Sequence, residues 1–336
     1  MSVEQDGGAQ AGQATDSDAG ARVARLVAWL DAEVVGRGDL IERLVIGLIV
    51  GGHILIEGAP GLAKTRSAKL LAEGVDCSFR RIQCTPDLLP ADITGTMVFR
   101  QDAGTFEFVA GPIFHNLVLV DEINRAPPKV QSALLEAMGE GQVTVAGVTR
   151  TLQRPFLVVA TQNPYEHEGT YPLPEAQKDR FLLNIHLDYP GAADEHAILD
   201  LVESEERAPA TAPRPREALG KPDVMALAAR ARAVHMAPAV KEYVVRLVMA
   251  TRGEGADEAL AQDIEHPASP RATLALAAAA RAKACLDGRD FVLPDDVHDL
   301  VEDVLSHRIG VTYRAEAEGR DARSIVATLL EQVPIT

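Results

Sequence analysis

The sequence predicts an α/β fold: a parallel five-stranded sheet interrupted by two β-hairpins and followed by an all-α region. Three observations carry this reading. Apolar runs such as Leu117-Val118-Leu119-Val120 and Phe156-Leu157-Val158-Val159-Ala160 are strands buried on both faces, the mark of a parallel sheet. Such runs alternate with segments of helical spacing. Beyond a Pro/Ala-rich stretch, Ala208-Pro209-Ala210-Thr211-Ala212-Pro213-Arg214-Pro215, only helical patterns remain.

Taken in order, residues 21–33 put Val23, Leu26, Val27 and Leu30 on one helical face, and a second apolar helix covers 40–50. Strands are expected over 53–56, 78–85, 117–122, 156–160 and 182–187. Two prolines in 85–92 argue against a regular helix there. Hairpins are expected around Asp102-Ala103-Gly104 and around Ala146-Gly147. A helix starts near Pro128 and carries Val130, Leu134, Leu135 and Met138 on one side. The last third reads as helices over 224–233, 238–251, 270–286, 294–305 and 322–333. The chain thus divides into a tail expected to be disordered (1–20), an α/β domain (21–202), a linker (203–222) and a helical domain (223–336).

With 336 residues the chain has room for two domains, each with its own core. The net charge of −16 and pI of about 5.0 count against broad nucleic-acid binding, which needs a basic footprint. Cys77, Cys84 and Cys285 are too few and too scattered for a disulfide framework or a zinc site, and read as buried reduced thiols. His167, between Glu166 and Glu168, reads as a solvated loop residue. Residues 1–20 contain no apolar stretch of signal-peptide type, and no run reaches membrane-spanning length, so a cytoplasmic protein is expected.

The chemistry gathers at Gly58-Ala59-Pro60-Gly61-Leu62-Ala63-Lys64-Thr65, between an apolar strand and a helix. A Gly-rich turn in that place aims backbone N–H groups at a phosphate chain, with the positive helix end behind it. Lys64 would reach the outer phosphates of ATP and Thr65 would hold Mg²⁺. Ala63 stands where the generic motif has Gly, which leaves the tight turn to Gly61.

Asp121 and Glu122 end a buried strand. They read either as two solvated acids or as a Mg²⁺ ligand (Asp121) beside a base that polarises water (Glu122), and the phosphate loop favours the second. Asn163 ends the next buried strand, either as a turn former before Pro164 or as an amide that orients water on the same sheet edge. Arg180 is either a local salt-bridge partner of Glu175 or Asp179, or a cation supplied to a neighbouring subunit's phosphate. Arg271 follows the helix start Ser269-Pro270, where it opposes the helix dipole. It is either solvated or reaching for an anion.

With these residues on the page, the chain resembles an AAA+ ATPase, specifically the MoxR family of the helix-2-insert clade. The motifs that carry the resemblance are the Gly58–Thr65 loop with Ala before Lys, Thr85-Pro86-Asp87-Leu88-Leu89-Pro90, Asp121-Glu122-Ile123-Asn124-Arg125-Ala126-Pro127-Pro128, Ala160-Thr161-Gln162-Asn163-Pro164, and Gly169-Thr170-Tyr171-Pro172-Leu173-Pro174-Glu175-Ala176-Gln177. The match is close over 35–190 and looser in the helical domain.

The resemblance implies sheet order 5-1-4-3-2. It makes Asn163 sensor 1, Arg180 the arginine finger and Arg271 sensor 2, and places Val35 and Gly36 near the adenine. The first hairpin becomes the helix-2 insert and the second the pre-sensor-1 hairpin. It implies hexameric rings with ATP between subunits. The expected function is a chaperone that remodels or activates client proteins, often with metal cofactors, beside partners carrying a von Willebrand factor A domain. A metal-chelatase motor subunit, a DNA-remodelling AAA+ protein and a nucleotide-dependent scaffold are the alternatives.

Overall fold

The computed structural model describes residues 7–164, 166, 168–207 and 219–335. In chain order the elements are α1 (Gly7–Glu33), α2 (Gly38–Val50), β1 (Ile54–Gly58), α3 (Lys64–Gly74), β2 (Phe79–Gln83), α4 (Pro90–Thr94), β3 (Gly95–Arg100), β4 (Thr105–Ala110), β5 (Leu117–Asp121), α5 (Pro128–Glu140), β6 (Gln142–Val145), β7 (Val148–Thr151), β8 (Leu157–Gln162), α6 (Glu175–Lys178), β9 (Leu183–Leu187) and α7 (Ala192–Arg207). The helical region holds α8 (Lys221–Ala233), α9 (Pro238–Ala250), α10 (Glu258–Asp263), β10 (Ile264–His266), α11 (Pro270–Leu286), α12 (Pro294–His298), α13 (Val301–Leu305), β11 (Gly310–Val311), α14 (Tyr313–Ala317) and α15 (Ala322–Gln332).

The central sheet is parallel throughout, in the order β2-β5-β8-β1-β9. That is the expected 5-1-4-3-2 read from the opposite edge. Alternation along each strand sends side chains to two cores. Ile54, Ile56, Leu117, Leu119, Leu157 and Val159 face α1, α2, α3 and the helical region. Leu55, Val118, Val120, Val158 and Ala160 face α5 and the insertions. Both faces are therefore dry, which is why these strands read as continuous apolar runs rather than as alternating ones.

The two insertions are antiparallel hairpins, β3–β4 and β6–β7, as expected. The second turns through Ala146 (φ 51°) and Gly147 (φ 76°), the left-handed pair that a two-residue hairpin requires.

Several expectations need correction. Residues 7–20, expected as disordered tail, continue α1. Ala9, Ala11 and Ala14 are strong helix formers that extend a helix nucleated where Val23, Leu26 and Leu30 are buried. Pro90 opens the one-turn helix α4 instead of excluding it, because proline fits the first turn. There the Asp92 carboxylate accepts the Leu89 N–H at 2.8 Å. α7 runs past residue 202 into the expected linker, and at the other end α8 begins at Lys221 with Pro222 in its first turn. The Pro/Ala stretch 208–215 lies outside the described residues, as does His167. The expected helix 294–305 is two helices, α12 and α13, and α10, α14 and the β10–β11 ribbon are additional elements. One buried cluster runs from α1 and α2 through α8, α9 and α11 to α15, so the helical region shares its core with the first two helices. Cys77 is partly exposed, while Cys84 and Cys285 are buried. Among the described residues no helix is long and apolar enough to cross a membrane.

His53, just before β1, ties the sheet to α5. Its Nδ1 accepts the Val158 N–H (3.0 Å), so Nε2 carries the proton and donates to the Met138 carbonyl (3.1 Å). Burial pushes its pKa down from 6.5 to about 4. The unfolded chain takes up this proton near pH 6.5, the folded one only near pH 4. Stability is therefore intact above that window and falls as pH drops through it, by up to about 3 kcal/mol. Urea titrations between pH 7 and 4 should show this fall reduced in His53→Gln, whose amide keeps a donor and an acceptor. A fall of equal size in the variant would contradict the assignment.

Candidate functional site

β1 delivers the loop Gly58–Thr65 to the carboxyl edge of the sheet, and α3 begins at Lys64. Gly58 is required by close approach: a Cβ there would meet the Leu187 carbonyl oxygen at 2.7 Å. Gly61 is required by its φ of 85°, and the space a Cβ would take is open. Ala63 also takes a left-handed conformation, φ 57°. The left-handed turn expected at Gly61 is present, and Ala63 adds a second, so the helix entry holds a strained alanine. Ala59 and Leu62 are buried beneath the loop, and Pro60 is exposed at its crest.

The Lys64 ammonium donates to the Gly58 carbonyl (2.7 Å) and to that of Gln162 (3.4 Å). Partial burial holds its pKa below the ordinary lysine value against the pull of Asp121, Glu122 and Glu57.

The strand register brings the acids to the same edge. β5 ends at Asp121, level with Gln83 of β2, and β8 pairs Gln162 with Glu57 of β1. The Thr65 hydroxyl lies 3.3 Å from Asp121 Oδ2. The other oxygen of Asp121 accepts from the Thr161 hydroxyl at 2.6 Å. That hydroxyl in turn accepts the Glu122 N–H at 3.0 Å. Glu122 itself is left-handed, φ 58° and ψ 54°, an uncommon state for a glutamate. Thr161 therefore fixes both acids, one through its side chain and the other through its backbone.

The Glu122 carboxylate meets Gln83 Nε2 at 3.0 Å and Arg125 Nε at 3.2 Å. Arg81 places Nη2 at 2.6 Å and Nε at 3.1 Å from Asp121 Oδ2, and its Nη2 also donates to Gln83 at 2.7 Å. Thr161, Arg81 and Gln83 were not among the residues singled out from sequence. A signal was present for the last two: they stand two apart on β2, and alternation puts them on one side.

Asn163 follows β8 directly, one residue beyond Gln162, on the edge that carries Gly58 and Asp121. Gly36 (φ 68°) packs against Asp194, and Arg37 donates to the Asp188 carbonyl at 2.9 Å. Val35 and Gly36 thus lie beside the exit of β9, where Leu187 pairs with Gly58.

Arg180 and Arg271 are elsewhere. The Leu182 N–H donates to the His53 carbonyl at 2.7 Å, below the start of β1, whereas the loop begins level with Leu187. Five residues at ~3.3 Å each separate these levels by ~16 Å, well beyond an arginine's reach. Arg180 is exposed and makes no ion pair among the described residues. The acid beside it, Asp179, pairs with Arg308 at 3.0 Å and with Arg271 at 3.8 Å. The structure therefore assembles the loop, Asp121, Glu122 and Asn163 at one edge, and sets Arg180 and Arg271 together at the other.

The donor set suits a magnesium nucleotide. Mg²⁺ takes oxygen ligands at 2.0–2.1 Å in octahedral geometry, so adjacent ligands sit about 3 Å apart. The 3.3 Å between Thr65 Oγ1 and Asp121 Oδ2 is close to that spacing. The ammonium of Lys64 and the open side of Gly61 lie along the same loop.

Comparison with known proteins agrees with this geometry. Residues 53–183 match the ATPase family associated with various cellular activities (AAA), and residues 256–329 match the AAA lid domain. The chain is 44% identical over 307 residues to Chaperone MoxR1 of Mycobacterium tuberculosis, covering 90% of this chain and 79% of that protein. It is 32% identical to Protein MoxR of Methylorubrum extorquens, covering 87% of this chain and 88% of that protein. A crystal structure from Cytophaga hutchinsonii, described as a candidate ATPase, superimposes with a TM-score of 0.89 at 43% identity, covering 97% of this chain and 98% of that one. The chain belongs to the MoxR family of AAA ATPases.

Proposed function

We propose that this chain binds ATP with Mg²⁺ at the Gly58–Thr65 loop and hydrolyses it between the subunits of a hexameric ring, to remodel or activate partner proteins. The observation that carries the catalytic part is the chain of contacts from Thr65 through Asp121 and Thr161 to Glu122. In this reading Lys64 and the loop N–H groups hold the phosphates. Thr65 and Asp121 would hold Mg²⁺, which would supply positive charge to the phosphate oxygens. Arg81, which donates to Asp121 Oδ2, would have to release that oxygen for it to serve as a ligand. Glu122 accepts the proton of the attacking water, and Asn163 orients that water. Val35 and Gly36 border the adenine. Arg180 and Arg271 serve the nucleotide of a neighbouring subunit, a reading supported by their ~16 Å separation from their own loop.

The chaperone part rests on the family and on the relative named Chaperone MoxR1. A partner with a von Willebrand factor A domain, a client protein and a role in metal-cofactor maturation rest on the family resemblance, and a cytoplasmic location on the sequence reading. The net charge of −16 favours protein over nucleic-acid partners.

Lys64→Ala tests the site. It should weaken binding of a fluorescent ATP analogue by on the order of 10²-fold, the scale of losing a charge-assisted contact of 2–3 kcal/mol. Unchanged affinity would remove the loop from nucleotide binding. The same analogue bound to Glu122→Gln rings gives a form in which partners can be captured and identified.

A further inference from the structure

Arg308 follows α13 and belongs to the helical region, yet it is spent on the strand of backbone that carries Arg180. Its side chain is 2% exposed. Nε donates to Asp179 Oδ1 at 3.0 Å; Nη1 donates to the carbonyls of Leu182 (3.2 Å) and Val304; Nη2 donates to those of Asp179 (3.4 Å) and Phe181. All five N–H groups of the guanidinium are used, and four of the contacts land on residues 179–182. His307 adds its Nε2–H to the Phe181 carbonyl at 3.2 Å. The Asp179 carboxylate is shared further: the Ser269 hydroxyl, at the start of α11, donates to its two oxygens at 3.0 and 3.2 Å, and Arg271 lies 3.8 Å away.

Asp179 is thus the junction between Arg180, its chain neighbour, and Arg271. A buried ion pair is costly, and a well-packed apolar replacement is often as stable, so stability alone does not account for a guanidinium here. Burial lowers the Arg308 pKa only to about 10, so it stays charged at neutral pH. The exposed side chain of Arg180 has no ion pair of its own among the described residues, so the backbone held by Arg308 sets where it starts.

We propose that Arg308 is a positioning residue: through Asp179 it holds Arg180 and Arg271 side by side on the edge that meets the neighbouring subunit's ATP, so that the helical region sets the reach of the finger. This rests on the reading that Arg180 acts on a neighbour, and it adds that the position of α11 and α13 is read out in a different subunit from the one they belong to.

The test uses mixed rings. A Lys64→Ala subunit has a dead site and an intact arginine edge; an Arg180→Ala subunit has the reverse. Asp179→Asn and Arg308→Lys rings should bind ATP within about threefold of wild type but turn it over on the order of 10²-fold more slowly, the effect of a misplaced catalytic group. Mixed with Lys64→Ala, either variant should regain activity as Arg180→Ala does. Mixed with Arg180→Ala, neither should, because both partners then lack a working edge. A purely structural lesion would fail in both mixtures. Where a variant does not fold, Ser269→Ala, which removes one hydroxyl from Asp179, should give a smaller loss with the same one-sided pattern. Wild-type turnover in the pure variant rings, rescue of Arg180→Ala, or failure in both mixtures would overturn the proposal. If Arg180→Ala and Lys64→Ala fail to complement each other, the reading of Arg180 itself falls, and that result is distinct from the others.

Discussion

Glu122→Gln should bind ATP as wild type does and hydrolyse it ~10²-fold more slowly or worse, the low end for losing a positioned general base. Glutamine has the same shape, so the left-handed backbone at 122 and the N–H bond to Thr161 at 3.0 Å stay. The amide still meets Gln83 and Arg125, which now hold the Glu122 carboxylate at 3.0 and 3.2 Å. What it cannot do is accept the proton of the attacking water. Phosphate release and nucleotide binding, measured on the same preparation, separate the two effects. Near-normal hydrolysis would remove Glu122 from the mechanism.

Arg180→Ala should lower turnover further, by ~10³-fold, the range in which an arginine finger acts on a transferring phosphoryl group. The affinity of the variant for ATP should be little changed, since its own loop lies ~16 Å away. The side chain is exposed, so its loss leaves the core intact. Stopped turnover with retained binding is the expected pair of results. A matching loss of ATP affinity in a monomeric preparation would place Arg180 at its own site instead.

Much of this was legible in the sequence, for identifiable reasons. Strands buried on both faces leave uninterrupted apolar runs, so β1, β5 and β8 announced themselves, and their ends located Gly58, Asp121 and Asn163 on one edge. The loop was legible because its chemistry is local. Contacts that depend on register were not. Thr161 bolts Asp121 to Glu122 only because β8 lies beside β5, and Arg81 reaches Asp121 only because β2 does. Arg308 was invisible for the same reason, since 129 residues separate it from Asp179. Proline misled once: the two prolines of 85–92 argued against a helix there, yet Pro90 sits in the first turn of α4. Arg180 and Arg271 were read one by one, and only the fold brings Arg271 to Asp179, the chain neighbour of Arg180, at the edge opposite the phosphate loop.

The proposed division of the site between two edges of the subunit has a direct kinetic signature. ATP turnover per subunit should be measured across a range of protein concentrations at saturating ATP and Mg²⁺, with the oligomeric state followed by sedimentation in the same buffers. Turnover should be near zero where the protein is monomeric and rise to a plateau as rings form, with Arg180→Ala flat throughout. Full turnover per subunit in a preparation that sediments as a monomer would contradict the account.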